Sequence, residues 1–386
     1  MKRKLIITSL ENKRITSVME DDEIIEFHIS EEEHGDSYRL GNIYVGRVKR
    51  IVSNIRAAFI EIGKGMECYY NMEEKGSSAI RVGDEFPVQI HKEAIKSKQP
   101  SVTRNINLTG KYCVLTKGDC RIGVSSKIDK EKSLELKQIL EPFKTKDYGF
   151  IVRTNAKECS KEELLGEAER LREEYERLME SAKHRVCFSC LKEAPASYLT
   201  DLKNIYQDGL EEIVVEDDTL YEQVRKFLEE EQPEDVSKLR HYEDRLLPLH
   251  KLYGIEQKLS GALKEKVWMK SGAYLVIQPT EALTVIDVNT GKCIGKKKDD
   301  KVYFQINLEA AKEAAKQIRL RNLSGIILID FVNLDNKEKM TELLERFRGY
   351  LRQDPIQTTL VDMTKLQLVE VTRKKVRKPL HEVFSK

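Results

Sequence analysis

No apolar run in the 386 residues approaches the ~18 needed to cross a bilayer, so no membrane span is expected. A secretion signal is not expected either. Met1-Lys2-Arg3-Lys4 has the charges of one, but the apolar run behind it, Leu5 to Ile7, is too short to be its core. The chain is therefore expected in the cytoplasm. Cysteine is scarce and unpatterned: seven residues, an odd number scattered along the chain, exclude a disulfide framework and fit a reducing compartment. A charge of one sign is also lacking. Lys and Arg total 67 against 65 Asp and Glu, a net charge of +2, so only local patches can attract a polyanion. One such patch is Lys365 to Lys378, where Glu370 is the only acid; Asn155 to Arg185 is rich in Glu instead.

Two stretches organise what is there. Leu283-Thr284-Val285-Ile286-Asp287-Val288-Asn289-Thr290-Gly291-Lys292 and Ile326-Ile327-Leu328-Ile329-Asp330-Phe331 are short apolar runs of β-formers, each carrying a lone aspartate near its end. A helical pattern, Asn307 to Leu323, separates them. Two strands that deliver one carboxylate each can bind magnesium and leave most of its octahedral positions to water and phosphate oxygens. That suits metal-assisted phosphodiester hydrolysis. Asn289, two residues past Asp287 on the same strand face, can hydrogen-bond the carboxylate or the phosphate. Lys292 and the cluster Lys296-Lys297-Lys298 would draw in a polyanion. A single aspartate at a strand end more often caps a turn or a helix. From these residues alone both readings stay open.

The length allows two to four domains at ~100–200 residues each, and composition shifts divide the chain further. Residues 1–37 hold strands at Lys4–Thr8 and Ile24–Ile29, too few to close a core unless they pair with later strands. Residues 38–105 hold short strands and glycine turns that suggest a small closed barrel of the S-one-type OB-fold, an RNA-binding architecture. Phe59 and Tyr69 are its candidate stacking platforms, with Lys92 and Lys98 as phosphate partners. The apolar run Ala57-Ala58-Phe59-Ile60 equally allows Phe59 to be core, and residue type favours core.

Residues 106–195 carry strands at Lys111–Thr116 and Gly149–Thr154. A long helix follows, with Ser160 and Glu163 as a capping box. Arg153 and Thr154 could grip a terminal phosphate, although a salt bridge from Arg153 to the Glu-rich helix is the commoner outcome. Cys187 and Cys190, with His184 nearby, have the spacing of half a zinc site, but no second pair lies within reach, which favours structural cysteines. Residues 196–262 mix helix and strand and could supply the sheet partners that residues 1–37 lack. Residues 263–386 hold the aspartate strands.

Thr284 to Gly291, Asn307-Leu308-Glu309-Ala310-Ala311 and Gln317 to Phe331 together resemble the catalytic region of the ribonuclease E/G family. The resemblance extends back through the barrel and Ile151-Val152-Arg153-Thr154 and covers essentially the whole chain. It implies an α+β multidomain fold: an RNase H-like part split between 1–37 and 196–262, an inserted S-one-type OB-fold barrel at 38–105, a 5′-sensor at 106–195, and a DNase I-like α/β catalytic domain at 263–386. The implied activity is that of an endoribonuclease. It would cleave single-stranded, A/U-rich RNA by magnesium-dependent hydrolysis, with 5′-monophosphate sensing, in rRNA and mRNA processing and decay.

By motif position the resemblance makes Asp287 and Asp330 the magnesium ligands and places Asn289 near the scissile phosphate. Arg153 and Thr154 become the 5′-phosphate pocket, with Gly110 and Val114 lining the terminal nucleotide's site. Phe59 and Tyr69 match base-stacking aromatics, Tyr69 standing where Phe is usual, and Lys98 and Lys92 match RNA-contacting lysines. The resemblance thus favours the phosphate role for Arg153 and the stacking role for Phe59.

The chain also departs from the family pattern. The Cys-Pro-x-Cys zinc-link and small dimerisation domain of the family have no counterpart here, so zinc is not expected and any homodimer is expected to be weak. Gln357 stands where some members have an arginine near the sensor. Two rivals are a non-catalytic RNA-binding protein, such as a regulator or ribosome-assembly factor, which would not need paired aspartates, and a DNA nuclease, which would not need an RNA-favouring barrel.

Overall fold

The N-terminal segment forms three consecutive antiparallel strands, Arg3–Leu10, Lys13–Glu20 and Glu23–Glu31. The sequence marks the outer two. The middle one escapes notice because Thr16 and Ser17 interrupt its apolar pattern, although Ile15 to Met19 are all buried. The computed structural model describes residues 2–10, 12–31, 38–63, 65–74, 79–92, 99–205, 209–244, 246–291 and 300–384. Contacts divide the chain into two units: Met1–Glu32, Gly209–Glu229 and Glu234–Lys386 in one, Glu33–Asp208 and Glu230–Pro233 in the other.

In the first unit Leu210–Val215 pairs parallel with Arg3–Leu10, and Leu239–His241 pairs parallel with Leu210–Val215. The N-terminal strands therefore belong to one five-stranded mixed sheet with residues about two hundred positions downstream. A second sheet has six strands in the order Lys266–Trp268, Tyr274–Pro279, Leu283–Asn289, Gly325–Asp330, Val369–Arg373, Thr358–Met363. Its alternate residues, including Leu275, Ile277, Ile286, Val288, Ile327 and Ile329, face one core with the helices Asp300–Leu320 and Lys337–Leu351. Ala310, Ala311 and Ala314 give the first helix a narrow face, so it can lie close on the sheet. That helix begins at Asp300, so Asn307 is a buried mid-helix residue and not its start. The run Leu366–Val371 reads as a strand in the sequence, but the final strand of the chain begins only at Val369, because Thr364 and Leu368 close a turn in which Gln367 takes φ 68°.

Glu26 ties the first sheet to the helix Asp300–Leu320 through Arg319, and accepts a hydrogen bond from His28 Nε2 at 3.0 Å. Arg377 donates to the other ring nitrogen of His28, which places the imidazole proton on Nε2.

The second unit contains a closed barrel. Ile43–Val52, Ala57–Gly63, Met66–Asn71, Ser101–Thr103 and Glu85–Lys92 pair in that order, and Glu85–Lys92 pairs back with Ile43–Val52. This five-strand closure is consistent with an OB-fold. Gly46 sits where a β-carbon would come within 2.6 Å of Ile60 and 2.9 Å of Val88, so only glycine lets the first strand cross the interior. Beside the barrel lies a four-stranded sheet, in the order Ile122–Val124, Tyr148–Val152, Cys113–Lys117, Asn107–Thr109. The helices Lys130–Leu140 and Lys161–His184 accompany it. The second helix starts with the Ser160/Glu163 capping box. Among the described residues no helix is long and apolar enough to cross a membrane.

Burial alone would raise the Glu26 carboxyl, but the His28 hydrogen bond and the Arg319 charge outweigh it and hold the group at about 2 against 4.5. A carboxyl depressed in the folded state contributes stability that is present above its unfolded value and is lost as pH falls toward the folded one. The expected contribution, about 3 kcal/mol at neutral pH, therefore disappears between pH 4.5 and about 2. Urea unfolding across that window should show Glu26→Gln less stable at neutral pH and flatter in acid. Parallel acid limbs for the variant and the wild type would refute the assignment.

Candidate active site

Strand alternation places Asp287 and Asp330. Ile286 and Val288 point into the core, so Val285, Asp287 and Asn289 share the opposite face; Ile327 and Ile329 do the same for Leu328 and Asp330. The two strands are parallel neighbours, and Asp287 and Asp330 are register partners. Their α-carbons are thus about one strand spacing apart, ~4.8 Å. Burial raises the Asp330 carboxyl above its ordinary value, and the neighbouring Asp287 carboxylate raises it further. Neither carboxylate has a cationic partner among the described residues. Asn289 donates from its amide to Asp287 Oδ2 at 2.6 Å and so fixes that carboxylate.

Beyond Asp330 the chain is held by Asn307, whose amide donates to Val332 O at 2.7 Å and accepts from Val332 N at 3.0 Å. In the sequence Asn307 stands within the motif Asn307-Leu308-Glu309-Ala310-Ala311 with no role of its own. Its signal is a polar residue on the apolar face of a helix. Two like charges without a counter-charge, one oriented by an amide, could hold a divalent cation. No group of three or more His, Cys, Asp or Glu is disposed to do so among the described residues. A cation here would take its remaining ligands from water and substrate. Lys292 lies outside the described residues.

In the second unit Glu167, on the helix Lys161–His184, is buried and accepts from the backbone N–H groups of Lys111, Tyr112 and Cys113, each at 2.7 Å. Its carboxyl carbon would lie 2.4 Å from any β-carbon at position 110, which is why Gly110 is glycine. The sequence signal for Glu167 is its position within the stripe Leu164, Ala168, Leu171, where a charge is out of place.

Arg153 donates to Gly110 O at 2.5 Å, Lys203 O at 3.0 Å and Asn204 Oδ1 at 2.9 Å. All three partners are neutral. The salt bridge to the Glu-rich helix, favoured on residue type, does not form, because Glu167 is committed to backbone amides. Burial lowers the Arg153 pKa, only partly offset by the more distant Glu167. Thr154 Oγ1 lies 2.8 Å from Ser125 Oγ. Val114 is half-buried and pairs with Ile151, which is 45% exposed. Gln357 is exposed and belongs to the first unit.

On the barrel, Ala58, Ile60 and Tyr70 fill the core, which turns Phe59 and Tyr69 outward. The core reading of Phe59 is therefore wrong. Phe59 and Tyr69 are register partners, edge-to-face with centroids 6.3 Å apart. Arg50 lies over the Phe59 ring at 3.7 Å. Lys92 is exposed at the end of its strand, and Lys98 lies outside the described residues. Cys187 and Cys190 are free, and Cys190 pairs with Tyr44 at the barrel edge.

Residues 107–376 match the ribonuclease E/G family. The chain is 34% identical to ribonuclease G of Escherichia coli strain K12, over 89% of this chain and 74% of that protein. It is 32% identical to ribonuclease G of Haemophilus influenzae over 99% of this chain and 81% of that protein. It is 29% identical to ribonuclease E of Nostoc sp. over 100% of this chain and 57% of that protein.

The facing carboxylates make a stability prediction. In a chelating buffer, Asp330→Asn should raise the melting temperature by roughly 1–2 °C, because it removes a like-charge pair from adjacent strands. A melting temperature that is unchanged or lower would show that the two groups do not repel in the folded protein.

Proposed function

The chain belongs to the ribonuclease E/G family, and we propose that it is an endoribonuclease. Its substrate is single-stranded, A/U-rich RNA, cleaved by magnesium-dependent hydrolysis with a preference for 5′-monophosphorylated ends, in rRNA and mRNA processing and decay. The observation that carries this reading is the register of Asp287 with Asp330, two carboxylates without a cationic partner among the described residues.

These carboxylates would hold a magnesium ion, which when bound supplies a lower pKa for water and neutralisation of phosphate charge. Asn289 keeps the Asp287 carboxylate oriented and retains a second amide N–H for a phosphate oxygen. Asn307 fixes the backbone that leaves Asp330.

In the second unit, Arg153 and Thr154 receive the 5′ phosphate. A half-buried guanidinium with only neutral partners supports this role, because a carboxylate would already have neutralised it. Gly110 and Val114 line the terminal nucleotide. Phe59 and Tyr69 stack bases, and Lys92, Lys98 and Lys292 meet phosphates. The first five-stranded sheet, three antiparallel strands extended by two parallel ones, supports the RNase H-like reading of residues 1–37 and 196–262. Residues 106–195 serve as the sensor and 263–386 as the DNase I-like catalytic domain.

Asp287→Asn should abolish magnesium-dependent cleavage of a labelled single-stranded RNA while sparing its binding; undiminished cleavage would sink the assignment. Arg153→Gln should shrink the rate advantage of a 5′-monophosphorylated RNA over its 5′-hydroxyl form by roughly 10- to 100-fold, the scale of a lost charge-assisted contact. An unchanged ratio would remove Arg153 from the sensor.

A further inference from the structure

The sheet face that carries the aspartates also carries an aromatic pair that the proposed roles do not use. Val267 packs toward the core, so its neighbours Lys266 and Trp268 project from the opposite face. Trp268 is a register partner of Tyr274, and Tyr274 of Asn289. In the adjacent row Lys266 pairs with Val276, Val276 with Asp287, and Asp287 with Asp330. The rings and the carboxylates therefore share one face and one end of the sheet. Trp268 and Asn289 are two strand spacings apart, ~10 Å between α-carbons.

Trp268 and Tyr274 pack at 5.0 Å between centroids, which fixes the indole orientation. The indole is nevertheless 63% exposed. Lys266 Nζ sits 4.1 Å from the Trp268 centroid and 3.6 Å from that of Tyr274. It has no carboxylate partner among the described residues, unlike Lys258, Lys316, Arg319 and Arg373 elsewhere in the first unit. An oriented, exposed ring beside an unpaired ammonium matches the two halves of a nucleotide, a flat base and an anionic phosphate.

We propose that Trp268, braced by Tyr274 and topped by Lys266, forms a base-stacking subsite for a nucleotide flanking the scissile phosphate, with Lys266 meeting the adjoining phosphate. The proposal rests on the endoribonuclease reading of Asp287 and Asp330. The subsite is sequence-tolerant, since every base offers a π-face, and it positions the strand without touching the reacting atoms.

Trp268 is the only tryptophan in the chain, so intrinsic emission reports this subsite alone. The test uses the full chain with magnesium and a 5′-monophosphorylated, A/U-rich RNA that has one cleavage position. Companion RNAs each carry one abasic nucleotide near that position. Emission is titrated with the Asp287→Asn variant, and cleavage is measured with wild type, Trp268→Ala and Trp268→Phe. RNA should quench the emission saturably, and one abasic position should abolish the quench. Trp268→Ala should lower kcat/KM by roughly 5- to 150-fold, the scale of one lost base–aromatic stack, with Trp268→Phe largely restoring it. The same abasic position should cost wild type a similar factor and Trp268→Ala nothing further.

Emission that ignores RNA, an unchanged kcat/KM in Trp268→Ala, or losses that multiply across the cycle would overturn the subsite while leaving the nuclease intact. A wild type that does not cleave would overturn the nuclease instead; a quench that one abasic position abolishes would still support the stack. Because the indole is largely exposed, Trp268→Ala should keep the wild-type melting temperature, so a kinetic loss in it is not a folding loss.

Discussion

Two carboxylates on neighbouring strands repel, and the parallel pairing of Leu283–Asn289 with Gly325–Asp330 keeps Asp287 and Asp330 together. Backbone hydrogen bonds set the register, but the buried side chains between the acids lock it. A slip of one residue would turn Asp287 and Asp330 into the core and Ile286 and Ile329 out of it. The hydrophobic effect on one face therefore enforces an electrostatically unfavourable arrangement on the other. The helix Asp300–Leu320 completes the restraint. Its alanine face seals the core, while Asn307 holds both polar backbone groups of Val332 just past Asp330.

A related logic orders the second unit with the sign reversed. Glu167 is buried, yet it satisfies the three consecutive amides of Lys111, Tyr112 and Cys113. A carboxylate committed in this way shapes the loop at Gly110 and is withdrawn from Arg153, whose guanidinium then turns to carbonyls and an amide oxygen. Had Glu167 paired directly with Arg153, the loop amides would be orphaned and the cation neutralised. One buried acid thus settles both the loop and the charge state of its surroundings.

The aspartate strands were legible because their apolar runs are long enough to bury and their acids fall on the polar side of the alternation. The capping box at Ser160 was legible because it is local, and it forms as read. Lys13–Glu20 was not, since a central strand buried on both faces with Thr16 and Ser17 in it shows neither alternation nor an unbroken apolar run. Phe59 could not be oriented from Ala57-Ala58-Phe59-Ile60, because small and apolar neighbours hide the period; barrel closure decides that Ala58 and Ile60 point in. The partners of Arg153 are backbone carbonyls and Asn204, and carbonyls exist at every position, so no spacing of residue types announces them.

Pairing separates the structural charges of this protein from those proposed to be functional. Arg373 is buried, yet its Nε is 2.7 Å from Asp354 Oδ2 and its Nη1 2.7 Å from Asn322 Oδ1, which anchors the last strand. Arg3 with Glu20, and Arg319 with Glu26, tie strands and helix in the same way. Such pairs recover through mutual attraction the solvation they lost, and they have nothing left to offer a ligand. Asp287 and Asp330 lie side by side with no cationic partner among the described residues, and Arg153 has only neutral hydrogen-bond partners, with Glu167 more distant. None of them has a directly bonded opposite charge, so each is left with attraction to offer a counter-charge. By this criterion the acid pair favours a cation and the guanidinium an anion, which accords with the RNA substrate and metal proposed for them.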